Sequence, residues 1–164
     1  MDNNNHVLLN EELNLYWPDG FSVMTKEELK AALRTEDPEK FGIHDKERHI
    51  ILFVWWHISN PLIVKLAGNI QNVVKQTEKK LKKTYKDHQY RFLGFFPTKV
   101  CGYEAYGLRF EYTLGEITQI CETIQFIYKS CCYTISYYTR PELDEQNQPV
   151  LQEILESISL EEID

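Results

Sequence analysis

The chain is poor in the residues that mark low-complexity or fibrous proteins. Its 164 residues include only 7 Gly and 6 Pro, which excludes collagen-like repeats and Pro- or Gly-rich linkers. Positive charge is also short: 18 Lys and Arg face 25 Asp and Glu, for a net charge of −7. A general nucleic-acid binder needs a basic surface, so that class is set aside. Long apolar runs are missing. The longest, Ile50 to Trp56, falls well short of the ~20 residues of a membrane-spanning helix, so no membrane partner is expected. The opening stretch MDNNNHVLLNEELN has neither the cationic start nor the apolar centre of a secretory signal. The four cysteines are therefore expected to be free thiols in the cytoplasm. No glycine-rich phosphate loop, GxGxxG turn, HExxH helix or CxxC pair occurs, and no cofactor is expected.

What is present is an ordinary globular composition, 43% hydrophobic and 26% charged. We expect a flexible N-terminus over 1–12, one α+β domain over 13–160 and an acidic tail over 161–164. Trp17-Pro18-Asp19-Gly20 reads as a turn between two short extended pieces. Thr25 with Glu28 forms a capping box that opens a short helix through about Leu33. The stretch TEDPEKFGIHDKER is a loop by composition. HIILFVWWHIS, residues 49–59, is apolar on both faces of a strand and must be covered on both. Over 61–86 apolar residues recur at helical spacing, and Lys75, Lys79, Lys82, Lys83 and Lys86 fall on the opposite side.

From Tyr90 the period changes to two. YRFLGFFPTKV is extended, and Pro97 marks it as an edge or a bulge. A Lys129-Ser130 turn pairs Tyr128 with Cys131, Phe126 with Tyr133 and Ile124 with Ile135, so both apolar sets share one face. Cys131 and Cys132 then point to opposite faces and are not a redox pair. The same one-face rule gives the preceding hairpin a three-residue loop, Leu114-Gly115-Glu116, pairing Tyr112 with Thr118 and Phe110 with Ile120. A last helix lies within 142–158, with Pro149 as a candidate start.

The order of elements, with the stretches LYWPDGFSV, TKVCGYEAYGLRFEY and QFIYKSCCYTISYYT followed by VLQEILESISL, resembles the PsbP/Mog1-like fold, including DcrB-type (DUF1795) bacterial proteins. The resemblance implies an antiparallel sheet between helical layers (an α/β/α sandwich), with the long helix on one side and the shorter helices on the other. It also implies a non-enzymatic binding role. It carries no functional residue across.

Candidate sites are weighed against plainer readings. Cys101, Cys121, Cys131 and Cys132 would need a nearby cation and solvent access to act as nucleophiles; their plain reading is small residues in strands and a turn. His44, Asp45, Glu47 and His49 carry metal-ligating groups in a solvated loop, and His57 lies ~26 Å along the strand from His49, too far to share an ion. The strongest asymmetry is charge. Residues 65–99 hold nine Lys or Arg against two acids, so the rest of the chain carries −14. Lysines on a solvated helix face are common; concentrated like this they also steer acidic partners. Trp56, Tyr103 and Tyr138 are candidate contacts for a partner's apolar segment. The expected function is a protein-binding or adaptor module, chaperone-like, using a sheet-lined groove or the basic helix face. The alternative is a small enzyme with a Cys/His or carboxylate site.

Overall fold

The computed structural model describes residues 4–33, 40–58 and 69–161. Strands β1 (His6–Leu9), β2 (Leu13–Tyr16) and β3 (Ser22–Val23) lead into helix α1 (Lys26–Leu33). β4 (Lys40–Asp45) and β5 (Ile50–Ile58) follow, then α2 (Ile70–Thr84). Next come β6 (Arg91–Val100), β7 (Tyr103–Leu114), β8 (Ile117–Tyr128) and β9 (Cys131–Thr139). A 3-10 turn, Pro141–Leu143, runs into α3 (Asp144–Glu156), and β10 (Ser159–Leu160) closes the chain. The strands build a seven-stranded antiparallel sheet in the order β3-β4-β5-β9-β8-β7-β6 and a small sheet in the order β1-β2-β10.

The sheet is covered on both faces, as the doubly apolar β5 requires. One face carries Leu52, Val54, Ile124, Phe126, Tyr133 and Ile135, buried beneath Leu151 and Ile154 of α3 and Leu13 and Leu15 of the small sheet. The other carries Leu108, Phe110, Tyr112 and Cys121, buried with Val74 of α2. The expected placement of α1 beside the last helix is corrected. It lies on the α2 face, where Gly42 leaves room for Leu29, Met24 and Phe53; a Cβ there would come within 3.0 Å of all three.

The β8–β9 hairpin has the expected register, Tyr128 opposite Cys131, Phe126 opposite Tyr133 and Ile124 opposite Ile135. Lys129 and Ser130 take positive φ angles of 47° and 66°, the primed-turn geometry that fits hairpin twist but disfavours side chains. The β7–β8 hairpin differs from expectation. Its loop is Gly115-Glu116, and Tyr112 faces Gln119 while Phe110 faces Cys121. The one-face rule fails because the strands bury both faces: Phe110 and Cys121 go to α2, while Ile124 goes to the α3 side and Ile120 is buried on that same face.

Three further expectations are corrected, and one lies partly outside the described residues. Residues 6–9 are not frayed; they pair with β2 from Val7 to Leu15 and neighbours. Residues 40–45 are not loop but β4, whose Phe41 and Ile43 alternate into the core while Gly42 and His44 face α1. The described part of the long helix begins at Ile70, with Asn69 as its cap accepting from the Asn72 N–H; residues 61–68 lie outside the described residues. Pro149 sits inside α3 rather than at its start. It removes one hydrogen bond on the exposed side, and burial of Leu151 and Ile154 outweighs that loss. The capping box is as expected: the Glu28 N–H donates to Thr25 Oγ1 and the Thr25 N–H to Glu28 Oε1, both at 3.1 Å. β6 is the sheet edge and bulges between Phe92 and Gly94.

Candidate functional site

Helix α2 is amphipathic but sits on an unusual floor. The strand residues facing it in β8 and β9 include Thr123, Gln125, Cys132, Thr134 and Ser136, small or polar side chains rather than large apolar ones. They satisfy one another. Thr77 Oγ1 donates to Gln125 Oε1 at 2.8 Å, Gln125 Nε2 donates to Thr134 Oγ1 at 3.0 Å, and the Thr123 and Ser136 hydroxyls lie 2.9 Å apart. A paired polar seam avoids the desolvation penalty yet gives less burial energy than aliphatic packing. Val74 is the single fully buried residue of α2.

Beneath the N-terminal half of α2 the seam opens into a groove of about 810 Å³. Gln125, Ile127 and Cys132 form its floor, Phe95 and His57 its flanks, and Lys75, Lys79 and Lys80 its rim. Lys75, Lys79, Lys80, Lys82, Lys83 and Lys86 are all exposed. None makes an ion pair with a described residue. The lone acid on α2, Glu78, is occupied by the Tyr90 hydroxyl, which donates to it at 3.0 Å. Five lysines of α2 against this one carboxylate leave the helix positively charged.

The aromatic candidates do not share a groove. Tyr138 faces the α2 side, packed edge-on against Phe53 and Tyr112. Trp56 lies on the other face, against Tyr133. Tyr103 is 40% exposed and sits edge-on to Tyr128, also away from α2. Alternation along the strands separates them, because position 138 of β9 and positions 56 and 103 fall on opposite faces. Phe95 and His57, which do border the groove, are not among the partner contacts read from sequence, where His57 figures only as a metal-ligating group. Phe95 follows Phe92 and Leu93 and precedes Phe96, and His57 sits between Trp56 and Ile58; period alone does not show which residue of such a run meets a gap.

A cysteine and a histidine do meet. Cys132 and His57 are cross-strand partners and both border the groove. Burial pushes the Cys132 thiol up to about 11, and no hydrogen bond joins it to His57. A nucleophilic thiol needs the opposite shift. Cys121 is pushed up to about 12 by burial. Cys101 is exposed in the β6–β7 turn. Among the described residues no group of three or more His, Cys, Asp or Glu could hold a metal. His44 approaches Glu28 at 3.5 Å, and Asp45 accepts from the Glu47 and Arg48 N–H groups. Among the described residues no helix is long and apolar enough to cross a membrane.

On the opposite face Arg109 joins three elements. It donates to Glu122 at 3.1 Å and to Asp144 at 2.5 Å, and Gln148 also donates to both carboxylates. Burial raises the Glu122 carboxyl above the usual range, opposed by Gln148 and Arg109. This cluster ties the start of α3 to β7 and β8.

A sheet of this order, with helices on both faces and a small sheet closing one of them, is the PsbP/Mog1-like fold. Solved structures with this architecture include cyanobacterial PsbP (CyanoP) from Synechocystis sp. PCC 6803, at TM-score 0.68 and 12% identity over 91% of this chain and 86% of that one. The Ran-binding protein Mog1p of Saccharomyces cerevisiae aligns at TM-score 0.61 and 9% identity over 94% of each chain. A Pseudomonas aeruginosa protein described as a putative regulator aligns at TM-score 0.59 and 9% identity over 96% and 97%. At these identities the likeness is one of fold. No protein-family model and no curated sequence matches the chain.

Proposed function

We propose that the chain is a non-enzymatic protein-binding adaptor, chaperone-like in its use of a groove, that engages an acidic partner through α2. The observation that carries this reading is the row of exposed lysines with no ion pair to a described carboxylate, three of which, Lys75, Lys79 and Lys80, rim a groove with both apolar and hydrogen-bonding walls. Such a rim raises encounter rates with acidic partners and weakens with salt. That yeast Mog1p is a Ran-binding protein supports a binding role at the level of the fold. Four cysteines that form no disulfide support residence in a reducing compartment, and a DcrB-like bacterial, cytoplasmic setting is part of the proposal. The raised Cys132 thiol weighs against the enzymatic alternative.

The test is charge reversal with stability held constant. Lys75→Glu, Lys79→Glu, Lys82→Glu and Lys83→Glu together should weaken a partner captured by the wild type by about tenfold or more, with thermal melting unchanged. Equal binding by wild type and variant would remove the lysines from the site.

A further inference from the structure

The lysines of α2 have a counterpart within the same molecule. Residues 141–164 contain eight acids and no Lys or Arg. Glu145, Glu153 and Glu156 of α3 are exposed and, at 100° per residue, fall within about 80° of one another. Their stripe points away from the buried Asn147, Leu151 and Ile154. On α2, Lys75, Lys79, Lys82 and Lys83 fall within about 100° and likewise point away from Val74. The two helices cover opposite faces of one sheet. The protein is thus charged positively on one outer layer and negatively on the other, with stripes of roughly 12 Å (Lys75–Lys83) and roughly 17 Å (Glu145–Glu156) at 1.5 Å per residue.

We propose that a second copy of this chain docks its α3 glutamate stripe on the α2 lysine stripe, so that copies stack head to tail along the sheet normal. The contact is heterologous: each stacked pair keeps one free lysine layer at one end and one free glutamate layer at the other, so association is open-ended rather than closed at a dimer. The stripes meet at short range, where opposite charges face one another. The net charge of −7 on each copy acts at longer range and opposes long stacks. Association is therefore favoured near 0.1 M salt, where the screening length of about 10 Å damps the net repulsion but not charges in contact, and is lost near 1 M, where that length is about 3 Å. The inference shares the α2 face with the proposed function but needs no outside partner. A stacked copy would compete with an acidic partner for the lysines.

The experiment is sedimentation velocity of the full chain over a concentration series, at about 0.1 M and about 1 M salt. The expected result is a weight-average mass that rises above one chain with concentration at the lower salt and falls back at the higher, an affinity change of about tenfold or more. Two neutralised variants, Lys79→Gln/Lys82→Gln/Lys83→Gln and Glu145→Gln/Glu153→Gln/Glu156→Gln, should each remain single chains. The glutamate variant should still bind the acidic partner of the previous section, or polyglutamate as a probe, while the lysine variant should not. Zero-length carbodiimide coupling of mixed heavy- and light-isotope protein should yield α2-lysine to α3-glutamate links between copies. A wild type that stays a single chain throughout overturns the proposal. So does association that persists in the glutamate variant, and that outcome leaves the adaptor reading standing.

Discussion

The two faces of the large sheet solve the same covering problem with different chemistry. Beneath α3 and the small sheet, twenty buried residues form one aliphatic and aromatic cluster. Beneath α2 the corresponding cluster has five among the described residues, and the remaining described floor is a seam of hydroxyls and amides that bond one another. Burial of apolar area stabilises by about 25 cal/mol per Å², whereas a satisfied polar pair contributes about 1 kcal/mol net. The first face therefore holds the fold. The second leaves a groove and presents lysines that no described acid engages. The difference teaches that the surface most available to a partner is the one the core depends on least.

The comparison can be broken most forcefully on the first face. Phe126 is fully buried and stacked on Tyr133. Phe126→Ala should cost about 3–5 kcal/mol in urea unfolding, a large share of the 5–15 kcal/mol typical of a domain. A cost below about 1 kcal/mol would mean that this face is not the principal core.

On the second face the expected effects are smaller and depend on pairing. Thr134→Val leaves Gln125 Nε2 without its acceptor and should cost about 1–3 kcal/mol, while Thr134→Val with Gln125→Leu should recover most of that loss. A double-mutant cycle that shows strict additivity would dissolve the seam as a unit.

The smallest effect concerns the Arg109 cluster and has a sign. Burial raises the Glu122 carboxyl on folding. Such a group favours the native state below its ordinary range, and that contribution is lost as pH climbs through the raised value. The stability of Glu122→Gln relative to wild type should therefore increase from pH 4 to pH 7, by about 1 kcal/mol or less, in paired urea melts. A decrease over that interval would show that Arg109 outweighs the cost of burial.

How far the sequence reads through to the structure depends on the kind of contact. The β8–β9 register was legible because Tyr128, Phe126 and Ile124 match Cys131, Tyr133 and Ile135 on one side only, and it holds even though Lys129 and Ser130 accept unfavourable φ angles. The β7–β8 register was not legible, because strands buried on both faces offer two apolar matches one residue apart. Short strands such as β1 and β10 owe their pairing to β2 and to little in their own composition. The site follows the same logic. The lysine stripe could be read from 100° spacing alone. The groove could not, because it arises where Thr77 meets Gln125 and where Cys132 and His57 come together from distant strands. Trp56, Tyr103 and Tyr138 were plausible anchors by residue type, and only the faces of the folded sheet separate them.

Native-state hydrogen exchange tests the contrast between the faces most directly. The amides of α2 should exchange through an opening at least roughly 2 kcal/mol easier than that of β8 and α3, with exchange of α2 slowed when an acidic partner is bound. Equal protection of α2 and α3, both at the level of global unfolding, would contradict the account.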